Sequence, residues 1–252
     1  MKKIYFASDA HLGAKTLENP LDTERRLVRW LDRIKSDAEA IYFMGDMIDF
    51  WFEYKTVVPR GYVRFFGKVA ELSDSGVEIH WFIGNHDLWL TDYISSELGV
   101  KVHRQAMVCT LKGRSFFLSH GDEFGDPNDY KFRIIRAVFH NSLCRKAFSA
   151  IHPRWTIGFA HAWSRQSRIK GEKYSDYLGE EKEHLVLFAK RYLNQHPPVD
   201  FFVFGHRHIP LDLMLSRETR LIILGDWITH FSYGVLDEKG FSLEMDNENV
   251  TQ

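Results

Sequence analysis

Cysteine is nearly absent from this chain. Cys109 and Cys144 are the only two in 252 residues, and their separation fits neither a metal-binding spacing nor a disulfide framework. That excludes a thiolate metal site and a cross-linked scaffold, and a reducing compartment fits best. Proline is sparse at seven, and no Pro-, Gly- or Ser-rich tract could serve as a linker. Long apolar runs are missing as well: nothing approaches the roughly 20 residues of a membrane span. The run Ile4 to Ala7 behind Lys2 and Lys3 is too short for a signal-peptide core. A soluble, cytoplasmic protein is expected, one still able to touch a membrane from one side. Neither sign of charge dominates: the formal net charge is -1, so affinity for anions must come from a local patch rather than from the whole surface.

The chain does hold enough apolar residues for one sizeable core, 44% by count, and the absence of repeats and linkers favours one domain over residues 1–252. Short apolar runs alternate with amphipathic segments. Ile4 to Ser8, Ala40 to Met44 and Val77 to Ile83 read as buried strands. Leu27, Trp30, Leu31 and Ile34 recur at helical spacing after Asp22, and a second helix is expected between about Tyr62 and Ser73. A short helix follows from about Asp92 to Leu98. Strand-like runs then come at Val100 to His103, Ala106 to Leu111 and Ser115 to Ser119, the last two joined by Lys112-Gly113-Arg114 as a hairpin. A long helical region is expected from residue 129 to about 195. The strands Val199 to Phe204, Leu211 to Leu215, Leu221 to Leu224, Gly234 to Leu236 and Phe241 to Met245 complete an α/β fold built on two sheets.

The polar residues fall where these strands stop. Asp9 and His11 follow the first strand, Asp46 the second, and Gly84-Asn85-His86-Asp87 the third. His120-Gly121-Asp122 follows Ser115 to Ser119, and Gly205-His206-Arg207-His208 follows Val199 to Phe204. The carboxyl ends of strands in an open α/β sheet line one crevice, so these residues are expected to converge. His, Asp and Asn without Cys offer nitrogen and oxygen donors suited to Mn, Fe or Zn. Any one of these residues could be an ordinary turn residue, but five such strand ends together are hard to ascribe to turns. The donors are too many for one ion and suit two, about 3.5 to 4 Å apart, which clamp the attacking and leaving oxygens of a phosphoryl displacement.

In their order, Asp-x-His, Gly-Asp, Gly-Asn-His-Asp, His-Gly-Asp and Gly-His-x-His resemble the motifs of the calcineurin-like metallophosphoesterases, from Asp9 to His208. The resemblance implies a two-sheet β-sandwich flanked by helices. It implies one metal held by Asp9, His11, Asp46 and His208 and a second held by Asp46, Asn85, His120 and His206, with Asp46 as the bridge. A water between two such cations would be hydroxide near neutral pH and could attack phosphorus in line. His86 would stand beside the reacting phosphate, to stabilise charge or protonate the leaving oxygen. Either Asp87 or Asp49 could orient it, and Asp87 could instead cap the following helix. Asp226 and His230 could approach the site from the last strands, but the turn reading is favoured for both.

Lys131 to Lys170 is peculiar to this chain. It carries Lys131, Arg133, Arg136, Arg145, Lys146, Arg154, Arg165, Arg168 and Lys170 and no acid. Phe132, Ile135, Phe139, Leu143 and Phe148 keep a helical period within it, and Pro153 opens a second helix bearing Trp155, Phe159 and Trp163. A solvated basic face over a core-packing apolar one is the bland reading. The position directly after His120 suggests instead a helical lid, at about residues 125–175, suited to an anionic amphiphile. With the Asp46-Met47-Ile48-Asp49-Phe50-Trp51 and Leu224-Gly225-Asp226-Trp227 stretches, this resembles the UDP-2,3-diacylglucosamine pyrophosphohydrolases of lipid A biosynthesis. That resemblance implies two Mn(II) ions and cleavage to UMP and 2,3-diacylglucosamine 1-phosphate. It also implies peripheral contact with the cytoplasmic face of the inner membrane, and substrate contacts from Asn85, His86, Asp126, Ser164 and Arg168. One residue departs from that pattern, since many members carry Arg where this chain has His86. A general phosphodiesterase or nucleotide phosphatase stays open as an alternative. Nucleic acid is not expected as a partner, because the aromatics follow a helical period rather than lining a basic groove. A binding module without turnover would be marked by lost ligand residues, and none is lost.

Overall fold

Strands buried on both faces read as near-continuous apolar runs, and alternate side chains along them serve two different cores. The first strand illustrates this in the computed structural model, which describes residues 2–14, 19–125, 130, 134, 137–139, 141–156, 158 and 176–248. In β1 (Lys3–Ala7), Tyr5 and Ala7 face a helical layer while Ile4 and Phe6 face a second sheet. The first sheet also contains β2 (Ala38–Phe43), β3 (Glu78–Phe82), β4 (Lys101–His103), β10 (Ser232–Asp237) and β11 (Gly240–Met245), in the order β11-β10-β1-β2-β3-β4. Strands β1 to β4 run parallel; β10 and β11 pair antiparallel at one edge. The second sheet holds β5 (Met107–Leu111), β6 (Arg114–Leu118), β7 (Phe201–Phe204), β8 (Pro210–Met214) and β9 (Arg220–Leu224), in the order β5-β6-β7-β9-β8. Its central strands β6, β7 and β9 are parallel.

Between the sheets lies a core of Phe6, Tyr42, Met44 and Phe82 from one side and Phe116, Leu118, Phe201, Val203 and Ile222 from the other. Outside the first sheet pack α1 (Pro20–Ile34), α2 (Val63–Asp74) and α3 (Tyr93–Leu98), which are the crossovers of successive parallel strands. The apolar stripe of α1, with Leu27, Trp30, Leu31 and Ile34 buried, is the one its spacing predicts. Outside the second sheet lies the last helix, residues 184–193, with Leu185, Val186 and Ala189 buried against Phe202, Phe204 and Ile223. Burying each such large side chain contributes about 1.5–3 kcal/mol, so the helices are held by their apolar faces. The expected α/β two-sheet architecture is present, and among the described residues no helix is long and apolar enough to cross a membrane.

The helical region expected from 129 to about 195 is interrupted. Helix α4 (Ser142–Ser149) is capped by Asn141, whose side chain accepts from the N–H groups of Leu143 and Cys144. Residues 176–183 are not helical, and α5 (His184–Leu193) starts only after Glu183. Gly179 takes a φ of 87° there, and Glu183 is drawn wholly into the interior by Arg207. Together these break the helix. Phe139 and Phe148 dock on an aromatic platform of Phe50, Phe52 and Trp89, with ring centroids 4.8–5.2 Å apart around Trp89 and 4.9 Å between Phe52 and Phe148. Trp89 Nε1 donates to the Phe139 carbonyl at 2.9 Å.

Candidate metal centre

The parallel strands β1, β2, β3, β6, β7 and β9 end on the same side, and each is followed within a few residues by a histidine or an acid. The loops beyond them are stitched together through the backbone. His11 N–H donates to the Asp46 carbonyl (2.9 Å), Asp9 N–H to Gly45 (3.1 Å), Gly205 N–H to His120 (3.0 Å) and Trp227 N–H to Asp9 (3.2 Å). Two glycines permit the approach: a Cβ on Gly84 would lie 2.1 Å from Asp46 Oδ1, and one on Gly205 would lie 2.0 Å from Ser8 Oγ. Asp9, His11, Asp46, His206 and His208 all adopt left-handed backbone, with φ between 42° and 67°. Such geometry costs a side-chain-bearing residue roughly 1–2 kcal/mol and persists where surrounding contacts impose it, as they do at functional sites.

Side chains far apart in sequence meet as a result. Ligand atoms of Asp9, His11 and His208 lie within 4.8 Å of one another, as do those of His11, Asp46 and His86, and those of Asp46, His120 and His206. Asp46 and His11 are shared, so the three groups form one continuous row. His11 Nε2 is 3.7 Å from Asp9 Oδ1 and 3.8 Å from Asp46 Oδ2, and His120 Nε2 is 3.3 Å from Asp46 Oδ2. His208 Nε2 is 3.4 Å from Asp9 Oδ1 and 3.1 Å from His11 Nε2. Asn85 is exposed on the rim, between Gly84, which packs on Asp46, and His86, whose N–H donates to Asp46 Oδ1 at 2.8 Å.

The donors suit a hard or borderline divalent cation, being imidazole nitrogens and carboxylate oxygens without sulfur. Asp9 Oδ1 and His120 Nε2 are buried and meet no partner in hydrogen-bond geometry, only the loose ion pairs to His208 and Asp46 at 3.4 and 3.3 Å. A buried polar atom is costly without a partner, and both atoms point into the row where a cation would satisfy them. The fold supports divalent metal binding on that ground. Burial raises the Asp46 carboxyl, yet His120 and His86 outweigh it and hold the group well below the usual carboxylate range. Burial would lower His120, but Asp46 carries it well above the ordinary imidazole value. Burial, with the His120 charge adding to it, pushes His206 down to about 3, so this ring is neutral and ready to donate a lone pair.

Other residues surround this row. His86 Nδ1 donates to the Asp49 carbonyl at 2.8 Å, and the Asp49 carboxylate is 3.6 Å from His86 Nδ1 and 3.8 Å from His11 Nδ1. Of the two acids considered for orienting His86, the structure places Asp49 beside it. Asp87 is turned away and accepts from Gly84 N–H (2.6 Å), Trp81 Nε1 (3.0 Å) and Met47 N–H (3.2 Å), which closes the turn after β3. One contact was not anticipated from sequence, and one was the less favoured of two readings. Arg207 forms a two-pronged ion pair with the fully buried Glu183 (2.8 and 3.1 Å), which anchors the His206 to His208 loop to the start of α5. Asp226, read as a turn residue, also faces His208 Nδ1 at 3.2 Å. Its Gly-Asp step after a strand repeats the Gly45-Asp46 pattern, a signal that was there to be used. Nothing in the sequence marks Glu183 among the neighbouring acids Glu180 and Glu181.

A shallow cleft runs from His120 and Gly84 past Leu88 to Arg104 and Gln105 beside the row. Of the remaining residues expected at the site, Asp126, Ser164 and Arg168 lie outside the described residues, as do Lys131, Arg133, Arg136, Arg165 and Lys170. Arg145, Lys146 and Arg154 are exposed.

Three kinds of likeness accompany this geometry. A family model described as calcineurin-like phosphoesterase matches residues 2–210. A UDP-2,3-diacylglucosamine hydrolase of Porphyromonas gingivalis is 51% identical over 253 residues, covering 96% of this chain and 97% of that protein. One of the same name from Edwardsiella ictaluri is 29% identical, covering 94% and 90%. Among solved structures, Yfce, a phosphoesterase from E. coli, aligns over 98% of this chain and 94% of its own at 18% identity and a TM-score of 0.48.

Proposed function

The chain belongs to the calcineurin-like phosphoesterase family, and from that premise we propose that it hydrolyses the pyrophosphate bond of UDP-2,3-diacylglucosamine to UMP and 2,3-diacylglucosamine 1-phosphate. It is a metal-dependent hydrolase. The substrate reading is carried by one observation: the 51% identity to a hydrolase of that name extends over nearly the whole of both chains. The continuous row of carboxylates and imidazoles at the strand ends supplies the matching chemistry.

Asp9, His11, Asp46 and His208 would hold one divalent ion, and Asp46, Asn85, His120 and His206 the other, with Mn(II) proposed over Fe or Zn. Two ions so held supply positive charge that polarises phosphoryl oxygens and lowers the pKa of water. The residues of the chain do the rest. Asp46 keeps its negative charge between the two groups because His120 and His86 hold it ionised. His86, with Nδ1 committed to the Asp49 carbonyl, offers Nε2 to a phosphoryl or leaving-group oxygen. The buried Asp87 fixes the turn on which Asn85 and His86 stand.

The basic segment from about 125 to 175 is proposed as a lid, with Asp126, Ser164 and Arg168 contacting substrate. Leu143 and Trp155, each 72% exposed, adjoin in sequence the exposed Arg145, Lys146 and Arg154. An apolar surface edged with cations suits acyl chains and a negatively charged leaflet, and supports peripheral contact with the cytoplasmic face of the inner membrane. The experiment is a substrate panel with metal-loaded protein. Release of UMP from the diacylated nucleotide is expected; turnover of simple phosphodiesters with that lipid left intact would reject the lipid assignment and leave a general phosphodiesterase. Removing residues 131–170 should impair lipid turnover and spare a small chromogenic ester, and equal loss on both would make the segment structural.

A further inference from the structure

His208 differs from its neighbours in the row. The side chains of His11 and His120 are almost wholly buried, whereas that of His208 is 33% exposed. His120 is held in place by its own environment, with Nδ1 on the Met44 carbonyl at 2.8 Å. A half-exposed ring on a left-handed backbone (φ 55°) has less packing to fix it, so its direction and tautomer must be set by a partner. Asp226 is that partner in position: it is 4% exposed, and its Oδ2 lies 3.2 Å from His208 Nδ1.

The other carboxylate oxygen is occupied. Oδ1 accepts from the N–H groups of Ile228 (3.2 Å), Thr229 (2.7 Å) and His230 (2.9 Å), which fastens the turn between β9 and β10. The Asp226 carboxylate therefore cannot rotate without giving up three hydrogen bonds, and Oδ2 is a fixed acceptor. An ionised carboxylate only accepts, so the ring nitrogen facing it must carry the proton. With Nδ1 protonated, a neutral imidazole has its lone pair on Nε2. Nε2 is the atom beside Asp9 Oδ1 and His11 Nε2.

We propose that Asp226 is a positioning residue for the metal centre: through one oxygen it fixes the turn, and through the other it locks His208 in the Nδ1–H tautomer, with the Nε2 lone pair aimed at the ion shared with Asp9 and His11. This rests on the reading of His208 as a metal ligand, and it adds a residue whose effect is confined to one of the two ions. Partners of this kind typically carry 10–100-fold in metal affinity, so about that factor is expected at this site alone.

Asp226→Asn separates the two roles. Asparagine keeps an Oδ1 for the three backbone N–H groups but presents an N–H₂ donor to His208, which demands the opposite tautomer. Metal-free protein titrated with Mn(II) or Co(II) in a calorimeter should bind two ions for the native chain. In Asp226→Asn one ion should keep its affinity and the other weaken by about 10–100-fold, with the melting temperature of the metal-free protein little changed. Two unchanged affinities would overturn the proposal and leave Asp226 as a turn residue. If the asparagine variant does not fold, long-range ¹⁵N spectra of the native protein loaded with Zn(II) decide the matter, since His208 must show a protonated Nδ1, and a protonated Nε2 overturns the proposal. His208→Ala separates this proposal from the ligand reading. If His208→Ala leaves both affinities intact, His208 is no ligand and the premise fails. If it weakens one ion and Asp226→Asn weakens none, the premise stands and the proposal fails.

Discussion

Two groups of histidines, one on neighbouring strands of the first sheet and one beyond the strand ends of the second, behave in opposite ways. His80 and His103 lie side by side on β3 and β4, their rings stacked at 5.1 Å and joined by a 2.8 Å hydrogen bond. Tyr42 covers His80 at 4.2 Å and Phe82 covers His103 at 4.7 Å. Burial, with the His103 charge adding to it, pushes His80 down to about 4, and burial lowers His103 as well. The acid nearest to His80, Glu78 at 3.6 Å, is exposed and paired with Lys101. At the strand ends burial also works against a charge on His120 and His208, but Asp46 faces the first, and Asp9 and Asp226 face the second, and both rings rise above the ordinary value. Histidine in a buried place is therefore not the mark of a metal centre. The mark is histidine facing a buried carboxylate beyond the carboxyl end of a strand, where loops can bring several such pairs together.

The largest effect is expected from making the second group resemble the first. Asp46→Asn removes the carboxylate shared by two of the three ligand groups. Hydrolysis should fall by at least the ~10²–10³-fold that losing one stabiliser of transition-state charge costs, and bound metal per chain, measured by elemental analysis, should drop with it. Retention of both would dissolve the contrast between the clusters. His86→Ala should lower kcat by about 10²-fold or more, the usual contribution of a positioned proton donor, with two ions still bound. Steady-state kinetics that moved only KM would make His86 a binding group instead.

A smaller effect concerns protons. His120 and His208 are raised above the ordinary imidazole value by the carboxylates they face, so each binds its proton more tightly than a free imidazole and a cation must displace that proton. Metal affinity should rise with pH through the neutral range, by up to about tenfold per pH unit for each proton released, and calorimetry in buffers of different ionisation heat should count those protons. A pH-independent affinity would contradict the raised values. The smallest effect on activity is expected at His80. His80→Gln should leave metal content and turnover unchanged. In the folded chain His80 is depressed to about 4 against an ordinary 6.5, so its contribution to stability is complete above pH 6.5 and is lost as pH falls toward 4. The glutamine variant should therefore show a shallower decline of melting temperature between pH 6.5 and 4, read by scanning calorimetry.

Much of this site could be read from sequence because two local signals coincide there. An apolar run announces a strand, and a Gly beside Asp, Asn or His marks where it stops, so Asp46, Asn85, His120 and His206 stood out before any geometry, while Asp9 and His11 stood out by directly following the first apolar run. What sequence could not resolve were choices that depend on which way a side chain turns. Asp87 adjoins His86 along the chain and Asp49 lies 37 residues away, yet Asp87 turns inward onto Trp81 and Gly84 and leaves Asp49 as the partner. Asp226 was read as a turn residue because it is one through Oδ1; its second oxygen acts across 18 residues. The break at 176–183 was missed for the same reason, since Glu183 leaves the helix to meet an arginine 24 residues away. Local periodicity carries no record of such long-range pairs.

The most direct measurement is restoration of activity to chelator-treated protein. With UDP-2,3-diacylglucosamine as substrate and Mn(II) added in steps, UMP release should be absent without metal and should reach its maximum as the second equivalent is bound. Full activity in the presence of chelator, or none on this substrate at any metal loading, would contradict a hydrolase that works through two divalent ions held at these strand ends.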